Sequence, residues 1–121
     1  MLTLRPSIRI YVCLRPADMR KSLDGLSAMA RSEVGEDPLS GHLFLFRNRR
    51  GDRMKVLYWD RNGFAVWYKR LERGRFSFPP EGTGRVAIGE EEFQLLVGAR
   101  VEPCGKTRLT RAFLLHWRLS I

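Results

Sequence analysis

Two cysteines in 121 residues, Cys13 and Cys104, stand far apart, with no CxxC motif and no Cys/His metal spacing around either. That argues against a zinc site and leaves incidental free thiols of a reducing cytoplasm. Histidine is equally scarce. His42 and His116 sit in no spacing that names a general base or a nucleophile pair. Ser40-Gly41-His42 is explained by a loop-to-strand junction, and Gly82-Thr83-Gly84 is too short for a phosphate-binding fingerprint. There is no apolar core of a secretion signal near the N-terminus and no run long enough to cross a membrane. Internal repeats, low-complexity stretches and interdomain linkers are also missing. Acids are the last shortage, with 13 Asp and Glu against 22 Lys and Arg. The candidates for a metal-dependent nuclease are Asp18, Asp24, Asp37, Asp52 and Asp60. Asp18 reads more simply as a helix cap, Asp24 as a solvent-facing helix residue, Asp37 as a turn residue before proline and Asp60 as a hairpin residue. No metal, cofactor or catalytic residue is indicated.

What remains is a basic, folded domain. The hydrophobic fraction of 44% and aromatic fraction of 11% fit a soluble core rather than a disordered basic tail. The net charge is +9 and the pI near 10.5, so nucleic acid is the leading partner class, with an anionic membrane second. The charge comes in blocks: +4 over residues 5–21, −3 over 22–41, +7 over 47–75, −3 over 81–92 and +4 over 100–118. Between Arg47 and Arg75 ten Lys and Arg face three acids, interleaved with Tyr58, Trp59, Phe64, Trp67 and Tyr68. Such interleaving on strand-like spacing is the footprint of a surface that meets a phosphate backbone.

Ile8, Ile10, Val12 and Leu14 alternate with Arg9, Tyr11, Cys13 and Arg15, which predicts a half-buried strand ended by Pro16. Asp18 is the expected N-cap of a helix whose apolar stripe is Met19, Leu23, Leu26 and Ala30, stopped by Gly35 and Asp37-Pro38. Three strands follow, over His42 to Arg47, Met54 to Trp59 and Phe64 to Leu71. They are joined by Arg49-Arg50-Gly51-Asp52 and Asp60-Arg61-Asn62-Gly63, and Asn62-Gly63 marks the second connection as a hairpin. Arg85 to Ile88 is a short strand. Glu90 opens a second helix that buries Phe93, Leu96 and Val97. The expected fold is α+β: an antiparallel meander sheet with two helices packed on one face. Residues 1–98 form the domain, and 99–121 form a divergent basic tail with helical potential from Arg108 onward.

Three ordered blocks carry a family resemblance. The first is Ile10-Tyr11-Val12 with Arg15-Pro16-Ala17-Asp18-Met19-Arg20-Lys21-Ser22-Leu23-Asp24-Gly25-Leu26. The second is Asp37-Pro38-Leu39-Ser40-Gly41-His42-Leu43-Phe44-Leu45-Phe46-Arg47-Asn48-Arg49-Arg50. The third joins Lys55-Val56-Leu57-Tyr58-Trp59-Asp60 and Gly63 to Tyr68-Lys69-Arg70-Leu71-Glu72-Arg73-Gly74-Arg75-Phe76. Together they resemble the TnpB-type accessory proteins of the insertion-sequence sixty-six family of bacterial transposable elements. The resemblance runs from Ile8 to Leu96. It implies a cytoplasmic prokaryotic protein encoded beside a larger DDE transposase and needed for transposition, in a family with no established catalytic residues.

The expected function is therefore a non-catalytic accessory factor for DNA transposition. It binds DNA with little sequence selectivity, assists the transposase–DNA complex, or does both. The expected contacts are Arg47, Arg49, Arg50, Arg53 and Lys55 at the first turn, and Arg61, Lys69, Arg70, Arg73 and Arg75 at the second turn and beyond. Trp59 and Trp67 are the candidate stacking residues. With the two turns at opposite ends of the middle strand, the two basic groups are expected to bracket several nucleotides. A module that contacts the transposase without touching DNA is the alternative. A metal-dependent nuclease resting on Asp52 or Asp60 is a weaker one.

Overall fold

Leu43-Phe44-Leu45-Phe46 is an uninterrupted apolar run, and a strand buries such a run only when both its faces are covered. The computed structural model, which describes residues 7–98, places it at the centre of a five-stranded sheet. The strands are β1 (Ile10–Cys13), β2 (Leu43–Arg47), β3 (Arg53–Asp60), β4 (Gly63–Arg70) and β5 (Arg85–Ile88), in the order β4-β3-β2-β1-β5. Helix α1 (Leu23–Met29) lies between β1 and β2, and α2 (Glu90–Gly98) follows β5. The fold is α+β with a mostly antiparallel sheet and a β2–β3–β4 meander, as expected. One junction is parallel: β1 runs alongside β2, with Ile10 opposite Leu43 and Val12 opposite Leu45. The chain crosses over through α1 between them, which is the length of connection a parallel pair needs.

The expectation of both helices on one face is corrected. One core gathers Ile10, Val12, Leu43, Leu45, Met54 and Val56 under Phe93, Leu96 and Val97 of α2. The other gathers Tyr11, Cys13, Phe44, Phe46 and Leu57 under Leu26 and Met29 of α1, together with Ala30 and Val34. Successive residues of β1 and β2 thus feed opposite cores, and both strands are buried almost throughout. The alternation around Ile10 predicts a half-buried strand because Arg9 and Arg15 bracket it, but both fall outside the strand.

Helix α1 also starts later than Asp18. The Asp18 carboxylate instead accepts from the backbone N–H of Arg20 at 2.9 Å and from its guanidinium at 2.7 Å. These hydrogen bonds hold the Asp18 carboxyl at about 2. Ser22 stands at the N-cap, and the buried stripe is Leu26, Met29, Ala30 and Val34, with Leu23 exposed. The helix ends in a widened turn, where Gly35 adopts φ 78° and donates its N–H to the carbonyl of Ala30 at 2.9 Å. In α2, Gly89 donates its N–H to the Glu92 carboxylate at 2.7 Å, a contact that satisfies an N-terminal orphan donor.

The β3–β4 hairpin is present and pairs eight residues on each strand, from Arg53 opposite Arg70 to Asp60 opposite Gly63. Its positive φ falls on Arg61, at 59°, rather than on Asn62 or Gly63. The Asn62 N–H reaches the Asp60 carbonyl at 2.6 Å, giving a tight three-residue turn centred on Arg61. A left-handed backbone costs a residue with a Cβ about 1–2 kcal/mol, while glycine gives part of that back through unfolded-state entropy. Arg61→Gly is therefore expected to raise stability by about 0.5 kcal/mol in urea denaturation with an unchanged m value. A loss of stability there contradicts the strained turn.

Candidate nucleic-acid interface

The connection between β2 and β3 is built around one side chain. The Asn48 carboxamide oxygen accepts from the N–H groups of Gly51 and Arg53, both at 3.0 Å. Its amide nitrogen donates to the Asp52 carboxylate at 2.6 Å. That hydrogen bond, with the nearby Arg50 and Arg53 guanidinium groups, keeps the Asp52 carboxyl below its ordinary range. Gly51 takes φ 79° at the apex, where a residue with a Cβ would be strained.

The strand that leaves this turn comes back to it. Because β4 runs antiparallel to β3, Arg70 lies directly opposite Arg53. The chain is then strapped to the turn: the Leu71 N–H donates to the Asp52 carbonyl at 2.9 Å and the Phe76 N–H to the Gly51 carbonyl at 2.8 Å. The Arg75 side chain packs beside Gly51, its Cδ 3.7 Å from where a Cβ on that glycine would stand. Arg50, Arg53, Arg70, Arg73 and Arg75 thereby gather at one end of the sheet. The two-ended bracket expected from the sequence is corrected, and Arg61 alone marks the far end of the hairpin. The signal was in the hairpin itself, since two equal antiparallel strands set the last residue of the second beside the first residue of the first.

Ion pairing sets this cluster apart from several of the other arginines. Arg15 pairs with Glu33 at 2.9 Å, Arg20 with Asp18 at 2.7 Å and Arg85 with Glu36 at 2.7 Å. Arg85 also donates to the Val34 carbonyl at 3.1 Å and lies over the Tyr11 ring, 4.7 Å from its centroid. Arg49, at the rim, meets Glu81 at 3.2 Å in an exposed pair of the kind that holds weakly. Among the described residues, no acid forms an ion pair with Arg50, Arg53, Arg70, Arg73 or Arg75. Like charges directly opposed across two strands repel, so the Arg53–Arg70 pair favours a shared anion.

Three basic residues grouped with them in the sequence do other work. The Arg47 guanidinium donates to the Pro79 carbonyl at 3.2 Å and lies 5.4 Å from the Phe78 ring centroid, and burial pushes its pKa down. The Lys55 ammonium donates to the carbonyls of Met19 at 2.7 Å and Lys21 at 3.2 Å. The Lys69 ammonium reaches the Val97 carbonyl near the end of α2 at 2.8 Å. Arg47→Ala is accordingly expected to destabilise the fold by about 2 kcal/mol through lost packing and an orphaned carbonyl. The folded fraction should keep its affinity for nucleic acid. Thermal unfolding read beside a binding isotherm checks both halves.

The two tryptophans do not share a surface. Trp59 lies edge-on to Phe64, with centroids 5.1 Å apart, while Trp67 packs half-buried against the α2-side core. Tyr68, which sequence reasoning did not single out, is 48% exposed. Of the pair behind the nuclease reading, Asp52 precedes the eight-residue β3 and Asp60 ends it, which sets them about 25 Å apart.

Over residues 8–103 the chain matches the family described as IS66 Orf2 like protein, TnpB of IS66. The chain belongs to the IS66 Orf2-like family. That places it among transposition-associated accessory proteins, and the match extends past Leu96, where the resemblance read from the sequence ends. The uncharacterized protein y4jC of Sinorhizobium fredii is 42% identical over 90 residues, covering 74% of this chain and 77% of its own length. The uncharacterized protein y4hO of the same organism is 33% identical over 97 residues, covering 80% and 84%. No solved structure matches the chain. Among the described residues no helix is long and apolar enough to cross a membrane. The basic tail expected over 99–121, with its helical potential, lies outside the described residues.

Proposed function

We propose that this protein is a non-catalytic accessory factor of IS66-type transposition that holds DNA by its phosphate backbone in the cytoplasm. The observation that carries the reading is the gathering of Arg50, Arg53, Arg70, Arg73 and Arg75 at one end of the sheet, without acid partners among the described residues. Arginine suits the task, because its planar fork of donors matches phosphate oxygens and it never loses its charge. The turn that presents Arg49 and Arg50 is already ordered by Asn48, so little entropy is lost on binding. The five arginines of the cluster stand on strands and loops rather than on a helix that could enter the major groove, so the contacts are to backbone and sequence selectivity is weak. A gel-shift titration against unrelated duplexes at two salt concentrations tests this. Similar affinities that fall steeply with salt support the reading, and salt-independent binding or no binding rejects it.

A second reading is supported by the position of β4. It closes one side of the sheet order as an eight-residue edge strand without proline, which suits the addition of a strand from the transposase. Co-purification with the neighbouring transposase, with and without element-end DNA, separates the two. A complex that forms equally well without DNA favours the protein contact.

A further inference from the structure

The geometry points to a single-nucleotide pocket on the α1 side of the β3–β4 hairpin, where Tyr68 stacks an unpaired DNA base and Arg53 and Arg70 take its phosphate. The inference rests on the DNA-binding reading above and names the form of DNA it serves. In the strand register Lys55 is opposite Tyr68 and Arg53 is opposite Arg70, so these four side chains project from one face as two adjacent cross-strand pairs. Directly opposed residues lie about 5 Å apart and successive same-face residues about 7 Å, a rectangle on the scale of one nucleotide from base to phosphate. Arg53 and Arg70 have no ion pair among the described residues, and Tyr68 is one of only three large apolar side chains there left exposed.

The ring is also held in place. The Lys55 ammonium sits 5.4 Å from the Tyr68 centroid and is itself fixed by the Met19 and Lys21 carbonyls. The cation and the strand pairing pin the ring, while its remaining surface faces solvent. A fixed, half-open aromatic plane beside two unpartnered guanidinium groups is the combination by which single strands are held: stacking for the base, charge for the backbone. In a duplex the bases are already stacked on one another, so Tyr68 has nothing to stack on and only the arginines contribute.

Fluorescence anisotropy with a short labelled oligothymidine strand and a labelled duplex of the same length tests the assignment. Tyr68→Ala is expected to weaken the single strand roughly tenfold while leaving the duplex within about twofold. The salt slope of both should stay put, because no phosphate contact is removed. Tyr68→Phe should keep wild-type affinity. Tyr68→Leu, which preserves apolar bulk on the strand without the ring, should behave like Tyr68→Ala. Arg53→Ala should weaken both probes and flatten both slopes by about one. Equal losses on the two probes in Tyr68→Ala, or full retention in Tyr68→Leu, overturn the stacking role. Tighter binding of an oligouridine strand than of oligothymidine overturns the assignment to DNA. A wild-type protein that holds the duplex while Tyr68→Ala is silent refutes this inference alone. One that holds neither probe refutes the DNA-binding reading with it.

Discussion

Replacing Arg50, Arg53 and Arg70 together with Ala is expected to lower affinity for unrelated DNA sequences by one to two orders of magnitude at low salt. Each phosphate contact contributes about 0.9 to the slope of log affinity against log salt, so losing three should flatten that slope by about 3. The fold should survive. Arg50 and Arg70 are exposed, none of the three has an ion pair among the described residues, and removing the Arg53–Arg70 opposition relieves a repulsion. The melting temperature is therefore expected to stay level or rise slightly. Arg15→Ala, Arg20→Ala and Arg31→Ala together are the charge-matched control, since these residues pair with Glu33, Asp18 and Asp37 and lie outside the cluster. Equal losses in the control reduce the effect to net charge, and unchanged affinity in the triple variant moves the function to the transposase contact.

Phe44→Ala is expected to cost about 3–5 kcal/mol, a large share of the 5–15 kcal/mol that holds a typical domain together. Phe44 is fully buried in the α1-side core, stacked on Tyr11 with ring centroids 5.9 Å apart. Its neighbour Leu45 is as deeply buried, but in the α2-side core. Leu45→Ala should thus lose about 2–5 kcal/mol as well, and the two losses should be nearly additive because the sheet separates them. Chemical denaturation of both variants checks the two-sided architecture. If helices covered only one face, one of these residues would face solvent, and its truncation would cost less than about 0.5 kcal/mol.

Most of the elements were legible. The limits of β5, the apolar runs of β2 and β3, the Gly35 stop and the hairpin at Asp60–Gly63 follow from periods and turn chemistry that act over a few residues. The start of α1 was misplaced because an aspartate before an amphipathic stripe reads as a cap. Here a nearer donor, the Arg20 guanidinium two residues on, took the carboxylate instead. In the hairpin the pairing was right and the strained residue wrong, since Asn62-Gly63 tolerates positive φ but the strand register placed it on Arg61. At the interface, composition found the arginines without showing which of them are free. Arg47, Lys55 and Lys69 are taken by the carbonyls of Pro79, of Met19 and Lys21, and of Val97, partners that are remote in sequence.

By itself the sequence determined the class of the fold, the family and the basic character of the 47–75 segment, all of which depend on residue types and short spacings. Tertiary structure alone decided that α1 and α2 cover opposite faces, that β1 runs parallel to β2, and that the segment after β4 is strapped back with Arg75 beside Gly51. The physical reason is the period of a strand. It settles which residues share a face, but not which face meets which helix, nor which strand lies alongside. Those choices are made by burying two apolar faces at once, and that burial also leaves Tyr68 half in the open beside two arginines that form no ion pair among the described residues.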